Sequence, residues 1–210
     1  MISNKAKSLW IAIGLSFISA TNAFATPINV TLNKPVTLNG TYGALRPASV
    51  WSSLPVAPAG SINDGVFASE GTLWNDGSIW WDATVQGSGS NSLVIDLEGD
   101  FFITGILTQA DNNDNYLIEF YEPTLATWLS LGYWGPIGGS GLITRPAGDH
   151  VTPYGTGFYA SAIRLSAFGG DGYYSYSEFV AIGNQVPEPG TVALLGLALA
   201  GLGLSRRKSR

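Results

Sequence analysis

"NSLVIDLEGDFFITGILTQADNNDNYLIEFYEPTLATWLSLG", Asn91 to Gly132, decides the fold. Within "SLVIDL" (Ser92 to Leu97), Leu93, Ile95 and Leu97 fall on one face of an extended chain, the period-2 mark of a half-buried strand. "FFITGILTQ" (Phe101 to Gln109) follows the turn-forming pair Gly99-Asp100, which predicts a hairpin between the two runs. The polar "DNND" (Asp111 to Asp114) leads into "NYLIEFY" (Asn115 to Tyr121), and Glu122-Pro123 separates that run from "ATWLSLG" (Ala126 to Gly132). Further on, "GGDG" (Gly169 to Gly172) joins "FYASAIRLSAF" (Phe158 to Phe168) to "YYSYSEFVAIG" (Tyr173 to Gly183). Closely spaced strands with no amphipathic helix predict an all-β chain, a jelly-roll β-sandwich.

Two stretches break the pattern. Residues 44–81 carry Pro47, Pro55 and Pro58, and residues 132–157 read "GYWGPIGGSGLITRPAGDHVTPYGTG", so both are expected to be long loops. Loops at the ends of a sandwich are where binding usually resides. Composition agrees with a turn-rich β protein: 27 Gly, 11 Pro, 7 Trp and 9 Tyr stand against 12% charged residues.

Both ends of the chain read as addresses. Lys5 and Lys7 precede the apolar run Leu9 to Ile18, and Ala23-Phe24-Ala25 supplies an A-x-A site, so residues 1–25 are expected to be a cleaved signal peptide and Thr26 the mature start. At the other end, Thr191 to Leu204 is apolar and Gly-rich and is followed by Arg206, Arg207, Lys208 and Arg210, the order of a stop-transfer helix with cytoplasmic cations. Pro187, Glu188 and Pro189 hold the preceding segment extended. Together "VPEPG", "TVALLGLALAGLGL" and "SRRKSR" resemble the PEP-CTERM sorting signal of Gram-negative bacteria. That resemblance implies cleavage near the motif by an exosortase, a membrane cysteine transpeptidase, after a transient stay in the inner membrane. The expected domains are therefore 1–25, a body at 26–186 and a sorting signal at 187–210.

Removing both ends exposes the body's electrostatics. It keeps Lys34, Arg46, Arg145 and Arg164 against fourteen acidic residues, a formal charge of −10. Phosphate recognition needs clustered Lys and Arg, so nucleic acid is excluded as a partner. The absence of Cys leaves the exported fold without disulfides.

The order of elements carries a second resemblance. "INDGVF", then Trp74, Trp80 and Trp81, then "NSLVIDLEGDFFITGILTQ", Tyr116 with Ile118 and Glu119, and finally "AIRLSAF" with "SEFVAIG" are similar to the discoidin-like, galactose-binding-like jelly-roll domains. "EPTLAT" departs from that pattern, standing where an Asp-Gly turn is common. In many members of that fold a structural Ca²⁺ lies where the Asp-Gly loop meets the last strand; the matching positions are Asp64 and Glu178. Ca²⁺ takes six to eight oxygens and accepts loop carbonyls. The plainer reading makes Asp64 the closer of an Asx turn and Glu178 a solvated or Arg-paired strand residue.

Other candidates follow from residue type. Tyr133 and Trp134, in a Gly and Pro loop, are the candidates for a stacking platform for a sugar ring, while Trp74, Trp80, Trp81 and Trp128 serve core or edge packing. Arg164 lies among apolar strand neighbours and is either ion-paired within the fold or a sugar-binding group. "DNND" lacks the Gly and Glu positions of an EF-hand and reads as a turn, as does Asp171. His150 is the single histidine, and no G-x-S-x-G, H-E-x-x-H or P-loop occurs, so no catalytic residue is assigned. The expected function is carbohydrate binding or adhesion at the cell surface or in an extracellular polysaccharide matrix. A matrix protein in Ca²⁺-dependent contact with other surface proteins is the alternative, and a small two-carboxylate glycosidase a third.

Overall fold

Ser92–Asp111 form one strand of 20 residues where the sequence predicts a hairpin. The computed structural model describes residues 26–87, 90–146, 157–187 and 196–199. In chain order the strands are β1 (Ile28–Asn29), β2 (Val36–Asn39), β3 (Ile79–Asp82), β4 (Ser92–Asp111), β5 (Asn115–Glu122), β6 (Thr127–Trp134), β7 (Leu142–Pro146), β8 (Phe158–Phe168) and β9 (Tyr173–Gln185). A 3₁₀ turn, Ala59–Asn63, lies between β2 and β3. Residues 1–25, expected to be a signal peptide, lie outside the described residues, as do His150, Glu188, Pro189 and most of the tail apart from the helical residues 196–199. No described helix is long and apolar enough to cross a membrane.

The unexpected length of β4 organises everything else. Glu98 and Gly99 have φ of 57° and 159°, and the ladder to β8 shifts register between Asp96 and Phe101. The chain kinks there without reversing, because both halves of β4 pair antiparallel with the same strand, β8. Bulges bend a strand and increase its twist. The first half of β4 thus belongs to a layer with β2, β8, β5 and β6, and the second half to a layer with β7, β9, β1 and β3. The all-β sandwich is the expected class; the hairpin at Gly99-Asp100 is corrected to a bulged continuous strand.

Alternation builds the core between the layers. Leu93, Ile95 and Leu97 of β4, Tyr116, Ile118 and Phe120 of β5, and Ile163 and Leu165 of β8 meet Ile79 and Trp81 of β3 and Tyr174, Tyr176, Phe179 and Ala181 of β9. Burying aromatic and branched side chains at about 25 cal/mol per Å² is the main stabilising term in a chain without Cys. Trp74, Trp80 and Trp81 are buried, as expected of packing residues. The two stretches expected to be loops contribute more than loops: β3 and the 3₁₀ turn come from residues 44–81, and β7 from residues 132–157. Among the described residues, every strand and every core residue lies between Ile28 and Gln185.

Candidate functional site

Two side-chain constellations stand out, one on the outer face of the first layer and one under the loop after the 3₁₀ turn. On the outer face, β5 buries Tyr116, Ile118 and Phe120, which turns Leu117, Glu119 and Tyr121 outward. Register places Glu119 beside Arg164 of β8, and the pair is bidentate: Nε and Nη2 of Arg164 each donate to a Glu119 oxygen at 2.7 Å. The hydrogen bond to Glu119 raises the guanidinium pKa further, so Arg164 keeps its charge and Glu119 cancels it. The guanidinium also lies 4.4 Å from the ring centre of Trp128. Trp128 meets Tyr121 edge-on at 5.5 Å. Farther along β6, Tyr133 is 45% exposed and packs edge-on against Phe168, 46% exposed, at 5.6 Å.

The structure therefore brings Tyr133 and Arg164 to one face and takes Trp134 away from it. Trp134 pairs with Tyr116 and is 2% exposed inside the core, so its ring offers no platform. The cause is a bulge: Ile118 opposes Gly132 while Glu119 opposes Ser130, which leaves Leu131 as an extra residue. Beyond that point the alternation of β6 is inverted. Trp128 points out, Trp134 points in, and Tyr133 takes the outward place.

The second constellation joins Asp64 to Glu178. The 3₁₀ turn ends at Asn63, whose side-chain amide donates to the carbonyls of Thr31 at 2.6 Å and Lys34 at 2.9 Å, fastening the loop beside β1. Asp64 then closes an Asx turn, accepting from the Val66 amide at 2.8 Å, with Gly65 at φ +83°. Glu178 of β9 is fully buried, neither solvated nor paired with Arg, and neither of its oxygens makes a hydrogen bond of acceptable geometry. Burial first, and the Asp64 charge second, push its pKa up to about 8, the nearby amides of Gly65 and Val66 acting weakly the other way. No group of three or more metal-type side chains converges among the described residues.

Residue type alone did not reveal two further clusters at the end where β4 meets β5 and β8 meets β9. Arg46 donates from Nε at 2.7 Å and Nη2 at 2.8 Å to the fully buried Asp82, and its backbone amide adds a third bond at 2.8 Å. Burial would raise the Asp82 pKa, but these bonds and those from Thr84 bring it down to about 2. The same guanidinium lies 4.0 Å from the ring centre of Tyr173, which packs on Trp74. Nearby, burial raises Asp111 to about 6 and Asp114 to about 8, the Asp171 charge adding to both. Arg145 lies beneath them, donating to the carbonyls of Gly135 and Asp111. As expected, "DNND" forms a turn and Asp171 a hairpin tip, its side chain accepting from Asn113 and from the Tyr173 amide. A cavity of about 460 Å³ beside the β5–β6 turn is lined mainly by Phe120, Leu125, Leu129, Phe158 and Tyr159. Its polar side chains are Thr124 and Glu122, and one Glu122 oxygen accepts from the Leu125 amide.

Comparison with known proteins adds the following. Residues 185–208 match the PEP-CTERM protein-sorting motif. The chain is similar to the family 32 CBM from C. perfringens NanJ, solved in complex with galactose, at 15% identity over 75% of this chain and 98% of that one, with a TM-score of 0.45. It is similar to a Streptococcus pneumoniae fucose binding module at 13% identity over 74% and 94%, TM-score 0.45. It also resembles chitosan-binding module 1 of a chitosanase/glucanase from Paenibacillus sp. IK-5 at 16% identity over 73% and 98%, TM-score 0.43. No curated protein matches. Similarity at this level assigns no ligand to this chain.

Proposed function

We propose that this is an exported, non-catalytic jelly-roll protein that binds neutral carbohydrate through the outer face of β5, β6 and β8. The observation that carries the reading is the aromatic face built around a cancelled charge: Trp128, Tyr121, Tyr133 and Phe168 surround the Arg164–Glu119 pair. Aromatic faces stack on the apolar C–H surfaces of sugar rings, and a fixed guanidinium and carboxylate bond their hydroxyls. Body charge of −10 opposes polyanions. The sorting motif at residues 185–208 supports export, exosortase cleavage near the motif and a final place at the cell surface or in its matrix; residues 1–25 serve as the signal peptide in this reading.

A glycan array probed with the full chain, held in a detergent without a sugar head group, followed by calorimetry on the hits, tests this. Saturable binding is expected, weakened at least about tenfold, or about 1.4 kcal/mol, by Trp128→Ala and by Tyr133→Ala. Binding that survives both substitutions unchanged refutes the assignment of the face.

A structural Ca²⁺ belongs to the same proposal, because Asp64 and Glu178 fit one. A fully buried carboxylate without a hydrogen-bond donor, beside a second carboxylate on a turn rich in carbonyls, suits a hard oxygen-seeking cation. Asp64 and Glu178 would hold it, and the ion would neutralise both and tie the loop to β9. The alternative is a matrix protein in contact with other surface proteins, for which an ion at Asp64 and Glu178 would shape the loop rather than bridge two molecules. Ca²⁺-induced association without glycan binding would establish that reading instead.

A further inference from the structure

We infer that the outer face grips an internal stretch of an extended, uncharged polysaccharide rather than a single terminal sugar. This rests on the carbohydrate reading above and goes on to name the ligand class. The face holds two aromatic stations, not one. Tyr121 with Trp128 forms the first, and Tyr133 with Phe168 the second. Trp128 is opposite Tyr121 in the ladder and Tyr133 is opposite Leu117, so four residues of β5 separate the stations. At a rise of 3.2–3.4 Å per residue that is a span of about 13 Å, longer than any one pyranose ring. The bulge at Leu131 lets β6 cover the same span with one more residue while keeping both aromatics outward.

What lies between the stations defines the chemistry. On β5, β6 and β8 the outward residues there are Glu119, Ser130 and Arg164, with Leu117 and Ser166 level with Tyr133, and the single charged pair cancels itself. Two donors of Arg164 are committed to Glu119, and the guanidinium has further N–H groups to give to hydroxyls. A chain laid along the strands meets a ring, then a polar and charge-neutral middle, then a ring. A monosaccharide reaches only one station. A second copy of this protein is opposed as occupant by the body charge of −10 on each molecule.

Calorimetry of the full chain with cello-, manno- and N-acetylchito-oligosaccharides of one to six residues tests the inference. In at least one series the affinity is expected to rise at least about tenfold from the monosaccharide to the longest member. Trp128→Ala and Tyr133→Ala should each flatten that rise, with Trp128→Phe restoring part of it and all three variants still melting cooperatively, within several degrees of wild type. Affinity independent of length but lost in the variants would leave the carbohydrate reading standing and overturn the internal-chain inference. No saturable binding at any length in any series would overturn both. A dimer in sedimentation that Trp128→Ala dissociates would give the face to a second copy and equally overturn it.

Discussion

Replacing Glu178 by Gln should make the Ca²⁺-free protein less sensitive to alkaline pH. In the unfolded chain Glu178 ionises near 4.5, whereas in the fold burial and the Asp64 charge hold it protonated up to about 8. Between those values the folded state binds one proton more than the unfolded state, so stability is full below pH 4.5 and drains away as pH rises to 8. Each pH unit in that window corresponds to 1.36 kcal/mol per group, so raising pH from 5.5 to 7.5 costs about 2–3 kcal/mol through Glu178 alone. Gln keeps the shape and cannot ionise. Asp111 and Asp114 are also raised, but they titrate in both proteins and cancel in the comparison. The assay is urea unfolding of the full chain in EDTA, followed by near-ultraviolet circular dichroism at the two pH values. Wild type should lose about 2–3 kcal/mol more than Glu178→Gln over that interval. Ca²⁺ at about 100 times its Kd should return a similar amount, about 2.7 kcal/mol, to wild type alone. Equal pH dependence in the two proteins would mean that Glu178 ionises freely in the fold, and the burial argument would fail with the Ca²⁺ site built on it.

Trp134→Ala should cost about 3–5 kcal/mol, as for other large buried aromatics, while Tyr133→Ala one residue earlier should cost under about 1 kcal/mol; chemical unfolding of both variants checks the inversion on β6. Arg46→Met removes the guanidinium bonds to buried Asp82, which keeps those from Thr84 and from the residue 46 amide, and should destabilise by about 1–3 kcal/mol; the double variant with Asp82→Leu should recover part of that, as a double-mutant cycle will measure. Gly170→Ala places a Cβ 1.9 Å from the Asp114 Oδ1 at a φ of +97° and should lower the melting temperature by several degrees, whereas Gly60→Ala, which meets nothing within 4 Å, should not.

Much of the sandwich was legible because alternation within a layer is a local signal. Phe158–Phe168 is one strand with the bounds its pattern gives, and β5 and β9 differ from their sequence runs only at their ends. β3 and β7 were not legible. Four residues, "IWWD", and five, "LITRP", are too short to display a period, and each is held by its partner, β9 or β4, rather than by its own pattern. Gly99-Asp100 misled for a related reason. A Gly after a residue at positive φ serves a bulge as readily as a turn, and only the ladder to β8 decides between them.

The same physics explains why the candidate sites were only half visible. β9 shifts register against β4 between Gln109 and Ala110, so Glu178 opposes Gln109 while Tyr176 opposes Ala110. Up to Tyr176 the core takes the even positions, Tyr174 and Tyr176; after the shift it takes the odd ones, Phe179 and Ala181. Glu178 is thereby turned off the core face toward the Asp64 loop, whose cover keeps it buried. Strict alternation would have extended the even series and driven a carboxylate between the two layers, where an unpaired charge costs far more than the hydrophobic contacts return. The bulge on β6 performs the same inversion for Tyr133 and Trp134. One inserted residue per strand flips every side chain beyond it. Each of these sites is therefore set by a one-residue register shift between two paired strands, a property of the pair that neither strand's own residues can display.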